Sequence, residues 1–321
     1  MITISNQYHF HFKPYRRKFK KPLRTSHGVW KVREGIIITL RNSEGKIAQG
    51  EIAPIPWFGS EDTAEAAQFC QQQGNTITSE IITKIPTTLP ACQFGFESAL
   101  LSFNQEIKKV DENSLNYCYL LPTGKQVLEQ EYQLKNKSSN PTFKWKIGID
   151  ETIQEIAIFK KLLVKLPHNA RLRLDANGGL TIKQAQAWLE VTENNKMIEF
   201  IEQPLPPSNF QEMMVLQETY STSLALDESV ATISQLKDCY EKGWRDVFVI
   251  KSAIAGFPSH LRQFCQQHDL DLVFSSVFET SIGRQVALQL ALELGNCDLG
   301  SAEALRDRAV GFSLDPWFSN Y

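Results

Sequence analysis

The chain has 321 residues, of which 42% are hydrophobic and 22% are charged, so it can bury a large core and is longer than one domain of common size needs. Its formal net charge of −2 at pH 7 gives no overall positive field that would attract nucleic acid or anionic lipid. We therefore expect neither nucleic acid nor a membrane as a partner of this protein.

The first hundred or so residues predict a small α+β domain. Strands are expected at residues 2–12, 32–41 and 46–52, and a cluster of turn-forming residues joins the last two as a hairpin. Helical periodicity follows at residues 61–72 and 91–107. Strands and then helices, without regular alternation, favour a separate α+β capping domain at residues 1–110.

After this domain the pattern changes to short apolar strands that alternate with amphipathic helices, as in βα units. Strands are predicted at residues 117–121, 143–147, 172–176, 198–203, 224–227, 247–251, 272–277 and 299–304. Helices are predicted at residues 151–165, 182–191, 211–219, 233–242, 258–268 and 285–294, with a weaker pattern at 124–134. The series predicts an α/β fold, a (β/α)7β TIM-like barrel at residues 111–309, with a tail at 310–321 that packs on the capping domain.

Two further patterns bear on the location of the protein. Residues 1–12 lack the continuous apolar region of a secretory signal. The six cysteines are scattered without CxxC spacing, which is typical of reduced thiols in a cytoplasmic protein. We therefore expect a cytoplasmic location.

Lysine and acidic residues recur near the predicted strand ends at intervals of 29, 27, 25 and 24 residues: Lys146, Asp175, Glu202, Asp227 and Lys251. One βα unit has about that length, and βα barrels assemble active sites where the strand ends meet. Three carboxylates at one place raise each other's pKa unless a cation binds between them. Because all their donors are oxygens, the three acids predict a Mg²⁺ site. The alternative is that these acids are helix caps and turn formers.

The lysines predict acid–base chemistry. Side chains alternate along a strand, so Lys144 and Lys146 share a face and Trp145 points toward the helices. Strand six lies half-way round the barrel from strand two, which places Lys251 opposite Lys146. A metal that binds a carboxylate stabilises the enediolate left when the neighbouring proton is removed. Burial and nearby positive charge can lower the pKa of a lysine enough for it to be the base.

These residues resemble the enolase superfamily, and within it the muconate-lactonising-enzyme subgroup, where Lys-x-Lys, three acids and a further lysine stand on successive strands. Residues 22–28, 50–54 and 275–283 are also similar to the family. The resemblance implies a lyase that needs Mg²⁺ and acts on a small-molecule carboxylate. The reaction that it implies is syn-dehydration of 2-succinyl-6-hydroxy-2,4-cyclohexadiene-1-carboxylate in menaquinone or phylloquinone biosynthesis.

The resemblance also implies residue roles. Lys146 would remove the proton and then assist departure of the hydroxyl, while Lys251 would stabilise the enediolate from the opposite face. Lys144 would orient the substrate carboxylate, and Asn177 would support the metal ligands Asp175, Glu202 and Asp227. The expected substrate contacts are Ser276, Gly300, Ser301 and Arg24. Residues 23–28 and 55–59 either close over the barrel mouth or form ordinary aromatic packing.

Other functions stay open for this pattern. Racemisation of N-succinylamino acids or epimerisation of dipeptides also needs two opposed lysines, and muconate lactonisation is a more distant option. Dipeptide epimerases usually carry Asp-x-Asp on strand eight, where this chain has Ala302-Glu303-Ala304, which disfavours that substrate. A non-enzymatic scaffold would leave the recurring acids and lysines unexplained. The oligomeric state stays open between monomer and dimer.

Overall fold

The described part of the chain forms two sheets, one with four strands and one with seven. A computed structural model of the chain describes residues 6–25, 28–103, 110–111, 115–129, 141–295 and 310–311, and the side chains of residues 21, 24 and 25 lie outside that description. The four-stranded sheet belongs to the N-terminal part of the chain, and the seven-stranded sheet follows it.

The N-terminal sheet is antiparallel and is built on one long hairpin. Its strands, β1 (Gln7–Thr25), β2 (Gly28–Arg41), β3 (Ile47–Ile52) and β4 (Thr76–Thr78), are bonded in the order β3-β2-β1-β4. The strand predicted at residues 2–12 continues through a basic stretch to the end of β1. It does so because β2 offers a cross-strand partner: Arg16 lies opposite Glu34, with Nε 2.6 Å from Oε1.

Three helices complete this domain: α1 (Thr63–Gln72), α2 (Ser79–Thr83) and α3 (Pro90–Phe103). Helix α3 lies directly on β3, where a Cβ added to Gly50 would be 1.9 Å from the carbonyl oxygen of Gly95. Only glycine permits so close an approach of two backbones. The antiparallel sheet with helices packed on it is the α+β arrangement predicted for this part of the chain.

The second sheet is parallel and alternates with helices along the chain. Its strands are β5 (Cys118–Leu120), β6 (Thr142–Lys146), β7 (Arg171–Asp175), β8 (Ile198–Glu202), β9 (Leu224–Leu226), β10 (Val247–Ile250) and β11 (Leu272–Phe274). The helices are α4 (Thr152–Lys165), α5 (Ile182–Thr192), α6 (Phe210–Thr219), α7 (Ile233–Glu241), α8 (Ser252–Ala255), α9 (Pro258–Gln267) and α10 (Ser281–Leu294). The strand order in the sheet follows the chain order, as successive βα units require.

Val310 and Gly311 occupy the place of the eighth strand. Val310 forms a parallel bridge with Tyr117, just before β5, and Gly311 forms one with Ser275, just after β11. The two residues therefore join the first and last described strands and complete the wall. The strand predicted at 299–304 lies outside the described residues.

The predicted C-terminal tail begins in this wall. Val310 and Gly311, the first residues of that segment, pair their backbone groups with strand edges that an open barrel would leave unsatisfied. That residues 310–321 pack on the N-terminal domain stays a prediction. Residues 312–321 lie outside the described part of the chain. The predicted TIM-like barrel with an N-terminal α+β domain is confirmed.

Alternate residues of the barrel strands pack into two groups. One is a small buried cluster made only of strand residues: Phe200, Ala225, Val247, Val249 and Val273. Their neighbours Phe248 and Ile250 belong to the large core that includes the helices. The small cluster therefore marks the inner face of the barrel and the large core its outer face.

The described residues also show whether a helix could cross a membrane and whether the cysteines are bonded. No helix within the described ranges is long and apolar enough to cross a membrane. The five cysteines in those ranges are buried and carry free thiols, and Cys297 lies outside them. The expected reduced, buried thiols are thus seen wherever a cysteine is described.

Candidate active site

The predicted catalytic and metal-binding residues lie at the carboxyl ends of neighbouring strands. In the ladder, Lys146 pairs with Asp175 and Asp175 pairs with Glu202. Asp227 and Lys251 directly follow β9 and β10. Strand alternation places all five on the inner face. Strands β6 and β10 are four positions apart in the sheet order, so Lys146 and Lys251 face each other from opposite sides of the barrel interior.

The residue between the two lysines of β6 supports this orientation. Trp145 is fully buried in the outer core. Its ring meets the edge of Trp188 in α5, with centroids 6.2 Å apart. Because neighbouring residues point to opposite faces, Lys144 and Lys146 both point into the barrel.

Lys146 is held by an acid and an amide. Its Nζ donates to Oδ2 of Asp175 at 2.8 Å and to Oδ1 of Asn177 at 2.5 Å. The amide nitrogen of Asn177 donates to Oε1 of Glu228 at 3.0 Å, which leaves the amide oxygen directed at the lysine. Asn177 has a positive φ of 46°, a conformation that Asn tolerates better than most residues. Asn177 therefore fixes the position of the Lys146 amine.

Lys144 bridges two of the acids. Its Nζ lies 3.2 Å from Oδ2 of Asp175 and 2.6 Å from the carboxylate of Glu202. Burial alone would lower the pKa of Lys144, but the carboxylates of Glu202 and Asp175 raise it above the ordinary value. Lys144 is therefore a fixed positive charge between two strand ends and does not extend to solvent.

Lys251 makes a similar pair on the other side of the barrel. Its Nζ donates to Oδ1 of Asp227 and lies 4.2 Å from the ring centroid of Phe58. Phe58 ends a short 3-10 helix, Pro56–Phe58, in the N-terminal domain. An ammonium group at this distance from a ring is attracted to the ring face. The N-terminal domain thus contributes a side chain directly to this lysine.

The three acids are almost completely buried, and their pKa values are shifted in different directions. Burial, together with the carboxylate of Asp175, raises the pKa of Glu202 to about 7. Burial also raises the pKa of Asp227. Burial would do the same to Asp175, but the lysines of β6 hold its pKa well below the usual range. Nearby positive charge therefore compensates the carboxylate of Asp175 well and that of Glu202 poorly.

The donor set fits a hard divalent cation. All three acids offer only oxygen, as Mg²⁺ prefers. Lys144 meets Glu202 with hydrogen-bond geometry only at Oε1, so the buried Oε2 accepts no hydrogen bond from the described residues. Among the described residues, no three His, Cys, Asp or Glu side chains form a ready metal-binding group. Lysine ammonium groups lie against the carboxylates of Asp175, Glu202 and Asp227 instead, and they compensate the negative charge as a cation would.

Comparison with known proteins decides the family. A model described as "MenC, N-terminal domain" matches residues 15–103, and one described as "Enolase C-terminal domain-like" matches residues 127–316. A curated o-succinylbenzoate synthase from Thermosynechococcus vestitus is 38% identical over 310 residues, which cover 95% of this chain and 92% of that protein. This chain belongs to the o-succinylbenzoate synthase family of the enolase superfamily.

Solved structures agree with this assignment. The crystal structure of o-succinylbenzoate synthase from Thermosynechococcus elongatus BP-1, complexed with Mg in the active site, matches with a TM-score of 0.85 and 36% identity, and the match covers 97% of this chain and 94% of that one. A dipeptide epimerase from Enterococcus faecalis V583 matches with a TM-score of 0.75 and 21% identity over 89% and 87% of the two chains, and shares the fold. The predicted superfamily, fold class and lyase class are confirmed.

The substrate contacts predicted for this o-succinylbenzoate synthase family member are described only in part. Ser276 follows β11, where its hydroxyl donates to Oε2 of Glu279 at 2.9 Å and accepts from the backbone N–H of Phe278 at 2.8 Å. The other predicted contacts lie outside the described side chains: Gly300, Ser301 and Arg24. Ser276 thus belongs to a hydrogen-bonded turn at the barrel mouth.

The segment predicted at residues 55–59 contributes to aromatic packing as well as to the site. Trp57 is partly exposed and meets the edge of Trp30, with centroids 4.9 Å apart. Trp30 in turn packs against Phe19 and Phe278. The segment therefore contributes to both places, since Phe58 reaches Lys251 while Trp57 joins an aromatic cluster; its closure over the barrel mouth stays a prediction.

Gln203 is a residue of the site that we did not predict. Its Oε1 accepts from the backbone N–H of Asp227 at 2.9 Å and of Ser229 at 3.1 Å. Its Nε2 donates to the carbonyl of Leu205 at 2.9 Å and to the hydroxyl of Ser229 at 2.8 Å. Gln203 therefore fixes the backbone that carries Asp227. Its position directly after Glu202 was the available signal.

Arg173 is a second residue that we did not predict. It is fully buried on the inner face, two residues before Asp175. Its Nε donates to Glu199 at 2.7 Å, and its guanidinium lies 4.9 Å from the ring centroid of Phe200. Strand alternation from Asp175 would have located it. The Arg173–Glu199 ion pair is therefore buried in the same strands that end in Asp175 and Glu202.

Proposed function

We propose that this chain catalyses the syn-dehydration of 2-succinyl-6-hydroxy-2,4-cyclohexadiene-1-carboxylate to 2-succinylbenzoate. The observation that carries the proposal is the placement, in a member of this family, of Lys146 and Lys251 on opposite sides of three strand-end carboxylates. The domain division is part of the proposal, with residues 1–110 as the cap and 111–309 as the catalytic barrel. So is a cytoplasmic location.

Asp175, Glu202 and Asp227 would hold Mg²⁺. The support is their oxygen-only donor set and their burial, together with the Mg found in the active site of the Thermosynechococcus elongatus relative. When bound, the ion supplies positive charge that stabilises the dianionic enediolate of the substrate.

Lys146 is the base of the proposed reaction. Its neutral amine takes the proton from ring carbon 1, next to the carboxylate, and becomes an ammonium group. The bond from carbon 6 to the hydroxyl then breaks, and the same ammonium group gives its proton to the departing oxygen, which leaves as water. The ring becomes aromatic and the amine is regenerated. Asn177 supports this role because it holds the Lys146 Nζ at 2.5 Å.

The other two lysines contribute positive charge to the proposed reaction. Lys251, on the opposite side of the barrel interior, stabilises the enediolate from the second face. Lys144, fixed between Glu202 and Asp175, orients the substrate carboxylate. We assign contacts with the remaining part of the substrate to Ser276, Gly300, Ser301 and Arg24.

Racemisation of N-succinylamino acids is a second candidate, favoured by the same opposed lysines, since each could serve one face of a planar intermediate. Incubation of the purified chain with the cyclohexadiene substrate and, separately, with an N-succinylamino acid in deuterated water distinguishes the two. We expect 2-succinylbenzoate in the first incubation at a rate well above any racemisation in the second. Racemisation or deuterium exchange without dehydration would overturn the proposed function.

A further inference from the structure

A buried carboxylate of the N-terminal domain binds the start of the last described helix of the barrel. Glu51 lies in β3 and is completely buried. Its two oxygens accept from the backbone N–H of Thr280 at 2.8 and 2.9 Å, and Oε2 accepts from the Thr280 hydroxyl at 2.5 Å and from the N–H of Gly283 at 2.9 Å. Tyr15 donates to Oε1 at 2.6 Å. The acid thus joins the two domains through three donor groups of the barrel, and Tyr15 of its own domain is the fourth donor.

The helix start that Glu51 binds is joined to the barrel mouth by a short turn. The N–H of Ser275 donates to the carbonyl of Ile250 at 2.8 Å, one residue before Lys251. The next residue, Ser276, is the predicted substrate contact. Thr280 is the N-cap of α10. Residues 276–280 therefore link the catalytic edge of the barrel to the helix that Glu51 holds.

The turn itself is built around a second buried acid. Oε2 of Glu279 accepts from the hydroxyl of Ser276 at 2.9 Å and from the N–H of Val277 at 2.8 Å. Burial, with a contribution from the charge of Glu51, raises the pKa of Glu279. Phe278 has a positive φ of 61°, which a bulky residue adopts only where its surroundings impose it. The conformation of the turn therefore depends on external contacts.

The N-terminal domain supplies those contacts. The ring of Phe278 meets the edges of Phe19 and Trp30, with centroids 5.4 and 5.5 Å apart. Space at the helix start is equally restricted, because a Cβ added to Gly283 would lie 2.9 Å from Oε2 of Glu51. One side of the turn is thus held by aromatic packing and the other by a charged hydrogen-bond network.

We propose that Glu51 is a positioning residue, which fixes the Ser276 turn for the succinyl end of the substrate through its bonds to Thr280 and Gly283. The inference rests on the proposed function and adds a specificity determinant to it. Glu51 does not itself contact substrate. Its loss lets the turn move relative to the barrel wall while Lys146, Lys251 and the acids keep their places on the strands, so binding suffers more than the chemical step.

Glu61 provides a matched control within the same domain. It is a buried carboxylate that also binds a helix start, since it accepts from the N–H groups of Ala91 at 3.0 Å and Cys92 at 2.7 Å. Both partners belong to the N-terminal domain, whereas the helix bound by Glu51 belongs to the barrel. Glu61→Gln therefore removes a comparable charge and disturbs a comparable cap without loosening the turn.

The test compares Glu51→Gln with Glu61→Gln in the full chain with Mg²⁺. For Glu51→Gln we expect KM for the cyclohexadiene carboxylate to rise about tenfold, the effect of losing charged hydrogen bonds, with kcat within about twofold of the wild-type value. Amide exchange at residues 276–283 should be faster. Both variants should lower the melting temperature to a similar extent, but Glu61→Gln should leave KM unchanged. An equal KM for both variants would overturn the inference.

Thr280→Val is the second variant, because Glu51→Gln could fail to fold. It removes the hydroxyl that donates to Glu51 and that accepts from the N–H of Ile282, and it keeps the backbone N–H of Thr280. KM should therefore rise by about threefold, as loss of the hydrogen bond to a carboxylate implies. An unchanged KM in this variant would also overturn the inference. Wild-type protein that dehydrates its substrate while both variants keep normal KM refutes only the role of Glu51; wild-type protein without turnover refutes the proposed function as well.

Discussion

The strand ends of the barrel and the turn after β11 fix their polar side chains in different ways. At the strand ends, ladder register sets the places of Lys146, Asp175 and Glu202. In the turn, Ser276 depends on a helix start that Glu51 holds from the other domain. The proposed chemistry therefore depends on the barrel wall alone, whereas the proposed recognition of the succinyl end depends on contacts between the two domains.

Removing the base from the barrel wall should have the largest effect on turnover. Lys146→Ala should lower turnover by about 10³- to 10⁴-fold, the upper range for a general base, because Lys144, the other lysine of β6, is held as an ammonium group by Glu202 and Asp175. Binding of Mg²⁺ and of 2-succinylbenzoate should persist, as measured by calorimetry.

The matched control for that change is Lys242→Ala. Lys242 is an exposed lysine that pairs with Asp238 at 2.6 Å, and its loss should leave turnover unchanged. Residual turnover of Lys146→Ala within tenfold of the wild type would contradict its role as base.

Removing one acid tests whether the wall acts as a metal site. Asp227→Asn should weaken Mg²⁺ affinity by about a hundredfold, the upper end of what even an outer-shell change costs, because an amide replaces a charged ligand. Titration calorimetry measures this. Asp238→Asn, an exposed acid paired with Lys242, serves as the control. Equal affinities for the two variants would remove Asp227 from the ligand set.

The raised pKa of Glu202 predicts a smaller effect, a dependence of Mg²⁺ affinity on pH. Burial and Asp175 raise that pKa to about 7 in the absence of metal, so Glu202 holds a proton below this pH and is ionised above it. Since Mg²⁺ binds the ionised form, binding releases a proton and affinity rises with pH. Apparent affinity should fall about tenfold from pH 8 to pH 6.

The pH effect should disappear in Glu202→Gln, which cannot take up a proton at that position. The measurement is Mg²⁺ titration at both pH values in buffers of different ionisation enthalpy. An affinity that is constant from pH 6 to pH 8 in the wild-type chain, with no proton release, would contradict the shifted Glu202 carboxyl as a ligand.

The barrel wall was predictable from the sequence because short-range sequence patterns determine its strands and the residues at their ends. Apolar strands, helical periodicity and the recurring interval placed Lys146, Asp175, Glu202, Asp227 and Lys251 at strand ends. Alternation fixed their face, as the outward position of Trp145 confirms. Even Arg173 and Gln203 lay within reach of the same argument, since each is one or two residues from a predicted acid.

Features that depend on distant partners were not predictable in this way. β1 reaches Thr25 because β2 pairs with its basic stretch, which strand propensity alone does not reveal. Glu51 and Thr280 are 229 residues apart in the chain, and no local pattern connects them. The place of Val310 in the barrel wall is likewise set by pairing with Tyr117, and a tail rich in loop formers gave no sign of it.

The central claim is that strand-end carboxylates bind Mg²⁺ between two opposed lysines for a dehydration. The most direct test follows 2-succinylbenzoate formation by the purified chain with saturating Mg²⁺, after removal of metal by EDTA, and after Mg²⁺ is restored. The account predicts turnover with Mg²⁺, loss to background with EDTA and full recovery on restoration. Turnover that EDTA leaves undiminished, or no product at saturating Mg²⁺, would contradict it.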